Sequence, residues 1–292
     1  MLKRINWKAV FYAFAWIISL GGLVVLMSFI STEKSTLLCK DVKVYIPGSN
    51  NFIERTEVDR ILTNNGRSLL GKELRKINIQ RLEDDLKANP FIEFAKVYAD
   101  MNGIIRVQIR QREPIIRIFN MGNQDFYIDK NGYKIPISDN FTANVPVANG
   151  FIQEVFSGRV DTLRSKLAKD LFQTAKFIEK DTLWRHQIEQ LYVNSVGEIE
   201  LTPRVGDQKI ILGNADSLQV KFENLYFFYK NALPKVGWDA YKTINIKFTN
   251  QVIGEKNPLT AKTAGAENSR QSAQDKQSAD SLKERIQDII KN

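Results

Sequence analysis

Cysteine and histidine are almost absent from this chain of 292 residues, in which Cys39 and His186 each stand alone. One cysteine excludes an intramolecular disulfide framework, and one histidine excludes a histidine-rich metal site. Glycine-rich phosphate cradles, Gly-x-Ser-x-Gly elbows and metal-spaced His/Cys/Glu clusters are also missing. The familiar sequence signatures of nucleotide, serine-hydrolase and metal chemistry therefore have nothing to rest on. The expectation is a non-enzymatic protein with no catalytic residue, no cofactor and no metal. Cys39 reads as a small buried hydrophobe. His186 follows Trp184-Arg185 at a helix end with no nucleophile to serve. Asp129, the most tempting carboxylate, opens an Asp-x-Asn-Gly run that turn chemistry accounts for.

Charge is missing from Ala9 to Ile30, a run of 22 residues. As a helix this run is about 33 Å long, enough to cross a hydrocarbon core of about 30 Å. Lys3, Arg4 and Lys8 precede it and a mixed flank of Glu33, Lys34, Lys40 and Asp41 follows. The positive-inside rule then leaves residues 1–8 in the cytoplasm and the bulk of the chain outside. The run is longer than the apolar region of a signal peptide and no small-x-small site follows it, which favours an anchor over a cleaved signal. A different deficit marks the other end, where Glu255 to Asp280 contains no aromatic residue, valine or isoleucine. Residues 255–292 are expected to be a tail without a core of its own, with Leu282, Ile286, Ile289 and Ile290 as a short helical stripe. A net charge of +9 suits a membrane surface or an acidic partner, and nothing points to nucleic acid or a small-molecule substrate.

What lies between is patterned. Leu37 to Ile46 reads as a strand ended by Pro47-Gly48, and Thr56 is expected to cap a helix carrying Val58, Ile61 and Leu62 with Gly66 as its stop. Asn78 is placed to cap a second helix with Ile79, Leu82 and Leu86 on one face. Asn89-Pro90 ends it. Phe94 to Tyr98, the Asn102-Gly103 turn with its expected pair of positive φ angles, and the alternating Ile105, Val107 and Ile109 then make a hairpin. Further on come strands at Ile115–Phe119, Phe126–Ile128 and Tyr133–Ile137. A helix is expected from about Asp161 to Lys180, and strands at Ile188–Val193, Ile199–Leu201 and Lys209–Leu212. A second helix is expected from about Ser217 to Leu233, carrying Val220, Leu225 and Phe228 and stopping at Pro234, before a final strand from Thr243 to Val252. The predicted fold class is α+β: a transmembrane helix (9–30), a β-α-α-β-β module (37–113) and a mixed α/β domain with an antiparallel sheet (114–254).

The order strand, helix, helix, strand, strand resembles the polypeptide-transport-associated (POTRA) module. Pro90-x-x-x-x-Ala95-x-Val97, Gly103-x-x-x-Val107-x-Ile109 and Glu113-Pro114 are similar to the FtsQ/DivIB cell-division family, as are Tyr127-Ile128-Asp129-x-x-Gly132, Ile135-Pro136, and Val145-Pro146 before Gly150. The resemblance covers roughly residues 1 to 254. It implies a divisome scaffold in the inner membrane at the septum, linking FtsB- and FtsL-type partners to septal peptidoglycan synthesis. It also implies that the C-terminal strand, with Ile244-Asn245-Ile246-Lys247-Phe248 where the family has an Ile-Asp-Leu-Arg-Tyr-like run, receives a partner strand. The expected partner-binding residues are Tyr241, Thr243, Ile244, Asn245, Ile246, Lys247, Phe248, Thr249, Gln251 and Val252. Arg106, Arg110, Arg112 and Arg117 are a candidate basic contact face. A POTRA-bearing accessory of polypeptide transport or envelope assembly is the alternative, and an anchored wall hydrolase with converging carboxylates is a third class.

Overall fold

The computed structural model describes residues 7–34, 37–48, 52–63 and 68–258. Lys3, Arg4, Gly66 and the apolar stripe from Leu282 to Ile290 lie outside the described residues. The chain divides into two compact units, one of residues 1–112 with 138–141 and one of residues 113–137 with 142–292.

Helix α1, Trp7–Lys34, contains the apolar run, and its side chains from Val10 to Ser28 are exposed on every face. A helix apolar all round is not made for a water-facing surface. The 19 residues Val10–Ser28 are long and apolar enough to cross a membrane, and α1 fits the anchor of a single-pass protein.

The rest of the first unit has the expected order: β1 (Asp41–Tyr45), α2 (Arg55–Leu62), α3 (Ile79–Lys87), β2 (Ile92–Ala99) and β3 (Ile104–Gln111). The sheet runs β1-β3-β2, with β1 parallel and β2 antiparallel to β3. Alternation puts Ala95, Val97, Ile105, Val107 and Ile109 on one face, where they form a core with Val58, Leu62, Leu82 and Leu86 from the two helices. Cys39 is buried in the same core. Phe94, Tyr98, Arg106, Gln108 and Arg110 occupy the opposite, exposed face.

Three local expectations need correction. The first strand begins at Asp41, because Leu38 instead makes an isolated bridge with Glu73. Thr56 sits inside the first turn of α2, whose N-cap is Glu54 and has no side-chain cap, whereas Asn78 does cap α3, accepting from the Arg81 N–H at 3.0 Å. Gly103 has φ +84° but Asn102 does not share a positive φ. The turn is instead held by Asp100, whose Oδ1 accepts from the Asn102 and Ile104 N–H groups at 2.9 and 3.0 Å.

The second unit is built on one ten-stranded sheet. Its strands are β4 (Pro114–Phe119), β5 (Asp125–Asp129), β6 (Tyr133–Pro136), β7 (Val147–Gly150), β8 (Asp161–Thr162), β9 (Ile188–Val193), β10 (Ile199–Pro203), β11 (Lys209–Gly213), β12 (Tyr241–Asn245) and β13 (Ile253–Lys256). They lie in the order β13-β12-β11-β10-β9-β7-β4-β5-β6-β8. The sheet is mixed rather than antiparallel, since β4–β7, β7–β9 and β11–β12 pair in parallel. The last two follow from helical crossovers, α4 (Lys166–Lys180) and α5 (Thr182–Gln187) before β9, and α6 (Leu218–Asn231) and α7 (Leu233–Val236) before β12. Leu171, Ala175, Ile178, Trp184, Phe222 and Leu225 from these helices join Ile116, Ile118, Ile128, Leu191, Leu201 and Ile210 in one core. Gly150 is obligatory at the end of β7: its φ is +97°, and an added Cβ would lie 2.2 Å from the Val193 carbonyl oxygen.

The first long helix starts at Lys166 behind its cap Ser165, because residues 161–162 pair with β6 as β8. In α6 the buried side chains are Lys221, Phe222, Leu225 and Tyr229, so Val220 faces outward. Pro234 does not stop α6, which ends at Asn231; it occupies the first turn of α7, where its missing N–H costs nothing.

Candidate functional site

The carboxyl-terminal edge of the large sheet is where the sequence placed its partner-binding strand. β11 and β12 pair from Lys209↔Thr243 to Ile211↔Asn245, and Ile244 and Ile246 are wholly buried beneath α6. The strand expected to continue to Val252 ends at Asn245. The Asn245 side chain accepts from the Lys247 N–H at 3.0 Å, an Asx turn that redirects the chain. Residues 248–250 then turn back, with Asn224 of α6 donating to the Thr249 carbonyl at 2.9 Å. Phe248, expected to share the buried face of Ile244 and Ile246, is exposed. The chain returns as β13, antiparallel to β12 from Tyr241↔Lys256 to Asn245↔Ile253.

This overturns the expected position of the open edge. Tyr241, Thr243, Ile244 and Asn245 lie in β12, which is paired with β11 on one side and β13 on the other. Ile246, Lys247, Phe248, Thr249, Gln251 and Val252 form the connection. The outermost strand is β13. Within it Gly254 is covered by the Tyr241 ring, which an added Cβ would meet at 2.6 Å, and Phe228 packs edge-on against the same ring at 5.1 Å. Thr243 reaches across to Glu255 at 3.1 Å. Beyond this pairing β13 presents exposed Ile253, Glu255 and Lys256.

Two lysines hold this edge in place, Lys247, expected to meet a partner, and Lys221, which the sequence reading missed. Lys221, at the N-terminal end of the buried face of α6, donates to the Leu212 and Asn214 carbonyls at 3.1 and 2.9 Å and to Asn214 Oδ1 at 3.0 Å. Burial lowers the pKa of its ammonium, and the three acceptors take up its protons. Lys247 pairs with Glu198, its stem lying over Gly213. The turn, α6, β10 and β11 are thereby tied together.

Of the basic residues, Arg106, Arg110 and Arg117 are ion-paired, and the set is divided between the two units. Arg106 pairs with Asp100 and Arg110 with Glu93, each at 3.2 Å, on the exposed face of the first unit's sheet. The Arg112 N–H donates to the Phe91 carbonyl. Arg117 belongs to the second unit and is half-buried, gripped by Asp125 with Phe119 and Tyr127 beside it. That paired hydrogen bond raises the Arg117 pKa. His186 is exposed on α5. Asp129 is fully buried as a turn residue, with Oδ1 accepting from the Asn131 and Tyr133 N–H groups at 2.9 Å each.

Comparison with known proteins agrees with this architecture. Residues 37–110 match the POTRA-like domain, and residues 113–255 match the family described as FtsQ/DivIB, C-terminal related. A protein of Rhodothermus marinus named Cell division protein FtsQ is 23% identical over 201 residues, covering 66% of this chain and 72% of that one. A protein of the same name from Salinibacter ruber is 22% identical over 202 residues, covering 65% and 74%. The chain thus carries, in order, a membrane-length helix, a POTRA-like unit and a unit of the family described as FtsQ/DivIB, C-terminal related.

Proposed function

We propose that this protein is a non-enzymatic scaffold of the division complex and that a partner chain binds it by adding a strand to β13. The single observation that carries the reading is the position of β13 at the end of the ten-stranded order, beside a strand already paired on both sides. An outer strand carries backbone donors and acceptors that another chain can complete, with selectivity from alternate side chains. The Asn257 N–H donates inward to the Ala240 carbonyl, so strand alternation directs the N–H groups of Gly254 and Lys256 outward. The partners implied by the family resemblance are FtsB- and FtsL-type membrane proteins, and through them the septal peptidoglycan machinery. In this reading α1 crosses the inner membrane with residues 1–8 in the cytoplasm, and both units lie outside it at the septum.

The alternative, a POTRA-type carrier of extended polypeptides, would use the edge of the first unit. There the outward N–H of Val97 on β2 is taken by the Glu83 carboxylate at 2.9 Å, which blunts that edge. Lys96 also closes on Glu83, at 3.2 Å. The test is Lys256→Pro, which deletes an outward donor at the end of the last strand while leaving the core untouched. Binding to a purified FtsB/FtsL-type partner from the same organism should weaken at least tenfold. Unchanged binding would end the strand-addition reading.

A further inference from the structure

Beside β13 the surface of the second unit carries a groove of about 400 Å³ between α6 and the turn at 249–252. Phe227, Phe228, Ala232 and Val252 give it an apolar floor, and Asn224 and Asn231 stand at its sides. Phe227 is 60% exposed and Val220, two turns earlier on the same helix, is 40% exposed. An apolar strip next to an outer strand is the kind of surface that proteins cover.

We propose that the occupant is residues 281–290 of this same chain, docked as an amphipathic helix. Leu282, Ile286 and Ile289 fall at i, i+4 and i+7, the spacing with which a helix inserts anchors into an apolar groove, and Ile290 widens the stripe. A helix that short gains its stability from its apolar contact rather than from propensity. The intervening residues from Asn257 to Asp280 carry no aromatic residue, valine or isoleucine that could compete for the groove. They follow the last residue of β13, Lys256, about 10 Å along the strand from Ile253, which directly follows the groove residue Val252. A polar tether of about 25 residues has a root-mean-square span of roughly 25–30 Å. That span brings the stripe to the groove at an effective concentration on the order of millimolar, so even a weak contact is occupied.

The test places a photoreactive phenylalanine analogue at Phe227 of the full chain in lipid nanodiscs. Irradiation should yield adducts with peptides from residues 281–290. In a mixture of light and heavy isotope-labelled chains those adducts should be isotopically pure. Ile286→Asp with Ile289→Asp should reduce them at least fivefold. Mixed-isotope adducts would overturn the proposal in favour of a second copy, and absence of 281–290 adducts would overturn it outright. The proposal does not rest on strand addition: Lys256→Pro leaves the tail adduct in place, so the two readings can fail separately.

Discussion

Lys134 and Glu154 show what one pair of side chains contributes. Both are almost fully buried, and they meet at 2.8 Å. The Lys134 ammonium also donates to the Val155 carbonyl at 2.8 Å, while Glu154 accepts from the Arg164 and Ser165 N–H groups at 3.1 and 2.9 Å. The carboxylate thus anchors the residues leading into α4 against the strand carrying Lys134. Burial by itself would raise the Glu154 pKa, but Lys134, Ser165 and Arg164 outweigh it and bring it from 4.5 to about 2. A depressed carboxyl pKa stabilises the fold fully above the unfolded value and loses that contribution as pH falls from 4.5 towards 2. The loss is about 3 kcal/mol. Glu154→Ala leaves the buried Lys134 ammonium with only the more distant Asp161 carboxylate, at 3.7 Å, and should cost about 3–5 kcal/mol of unfolding free energy measured by chemical denaturation, whereas Lys134→Met with Glu154→Leu should come close to neutral. A double-variant loss as large as that of Glu154→Ala would show that the unpaired Lys134 ammonium is not what the single substitution costs. No period or motif announced this pair, because a lysine and a glutamate 20 residues apart read as two solvated charges until the chain is folded.

At the scale of elements, one device recurs at four tight turns. Asp100, Asn120, Asp129 and Asn194 each close a hairpin by accepting backbone N–H groups from the turn beyond them. Three residues later stands a residue with positive φ: Gly103, Asn123, Gly132 and Gly197. Its N–H donates back to the carbonyl of the Asp or Asn that opens the turn. The oxygen satisfies N–H groups that the turn would otherwise leave bare, and an amide oxygen serves as well as a carboxylate. Asp129→Asn should therefore change the thermal midpoint little, while Asp129→Ala, at a fully buried position, should cost about 1–3 kcal/mol. If both cost the same, the charge of Asp129 matters and the turn reading is incomplete. Asp129-x-x-Gly132 was legible because its determinants are local, and Asn102-Gly103 gave the position of its turn but not the φ pair or the holding role of Asp100. The end of β12 was not. Residues 244–248 alternate as a strand should, and only the Asn245 side chain, turned back onto Lys247, shows where pairing stops.

For the whole molecule, a membrane-length helix is followed by a POTRA-like unit and an FtsQ/DivIB-related one, which fits a single-pass protein working in division. A fluorescent protein fused ahead of Met1 should form a band at midcell before constriction is complete. Uniform envelope fluorescence throughout the cell cycle would remove the septal assignment and favour the transport alternative.

The sequence by itself determined the membrane-length run, the strand-helix-helix-strand-strand order, the alternating face of β3, the Asn78 cap and the two long helices of the second unit. Each depends on periodicity or on residues within one turn of each other, where the chemistry is complete before the chain folds. Tertiary structure decided the parallel pairings, the buried Lys134, Glu154 and Lys221, and the identity of the outer strand. Pairing energy is shared between segments distant in sequence, so which of two short C-terminal strands lies outermost depends on what packs beside it. A buried charge is tolerated only once its distant partners are in place.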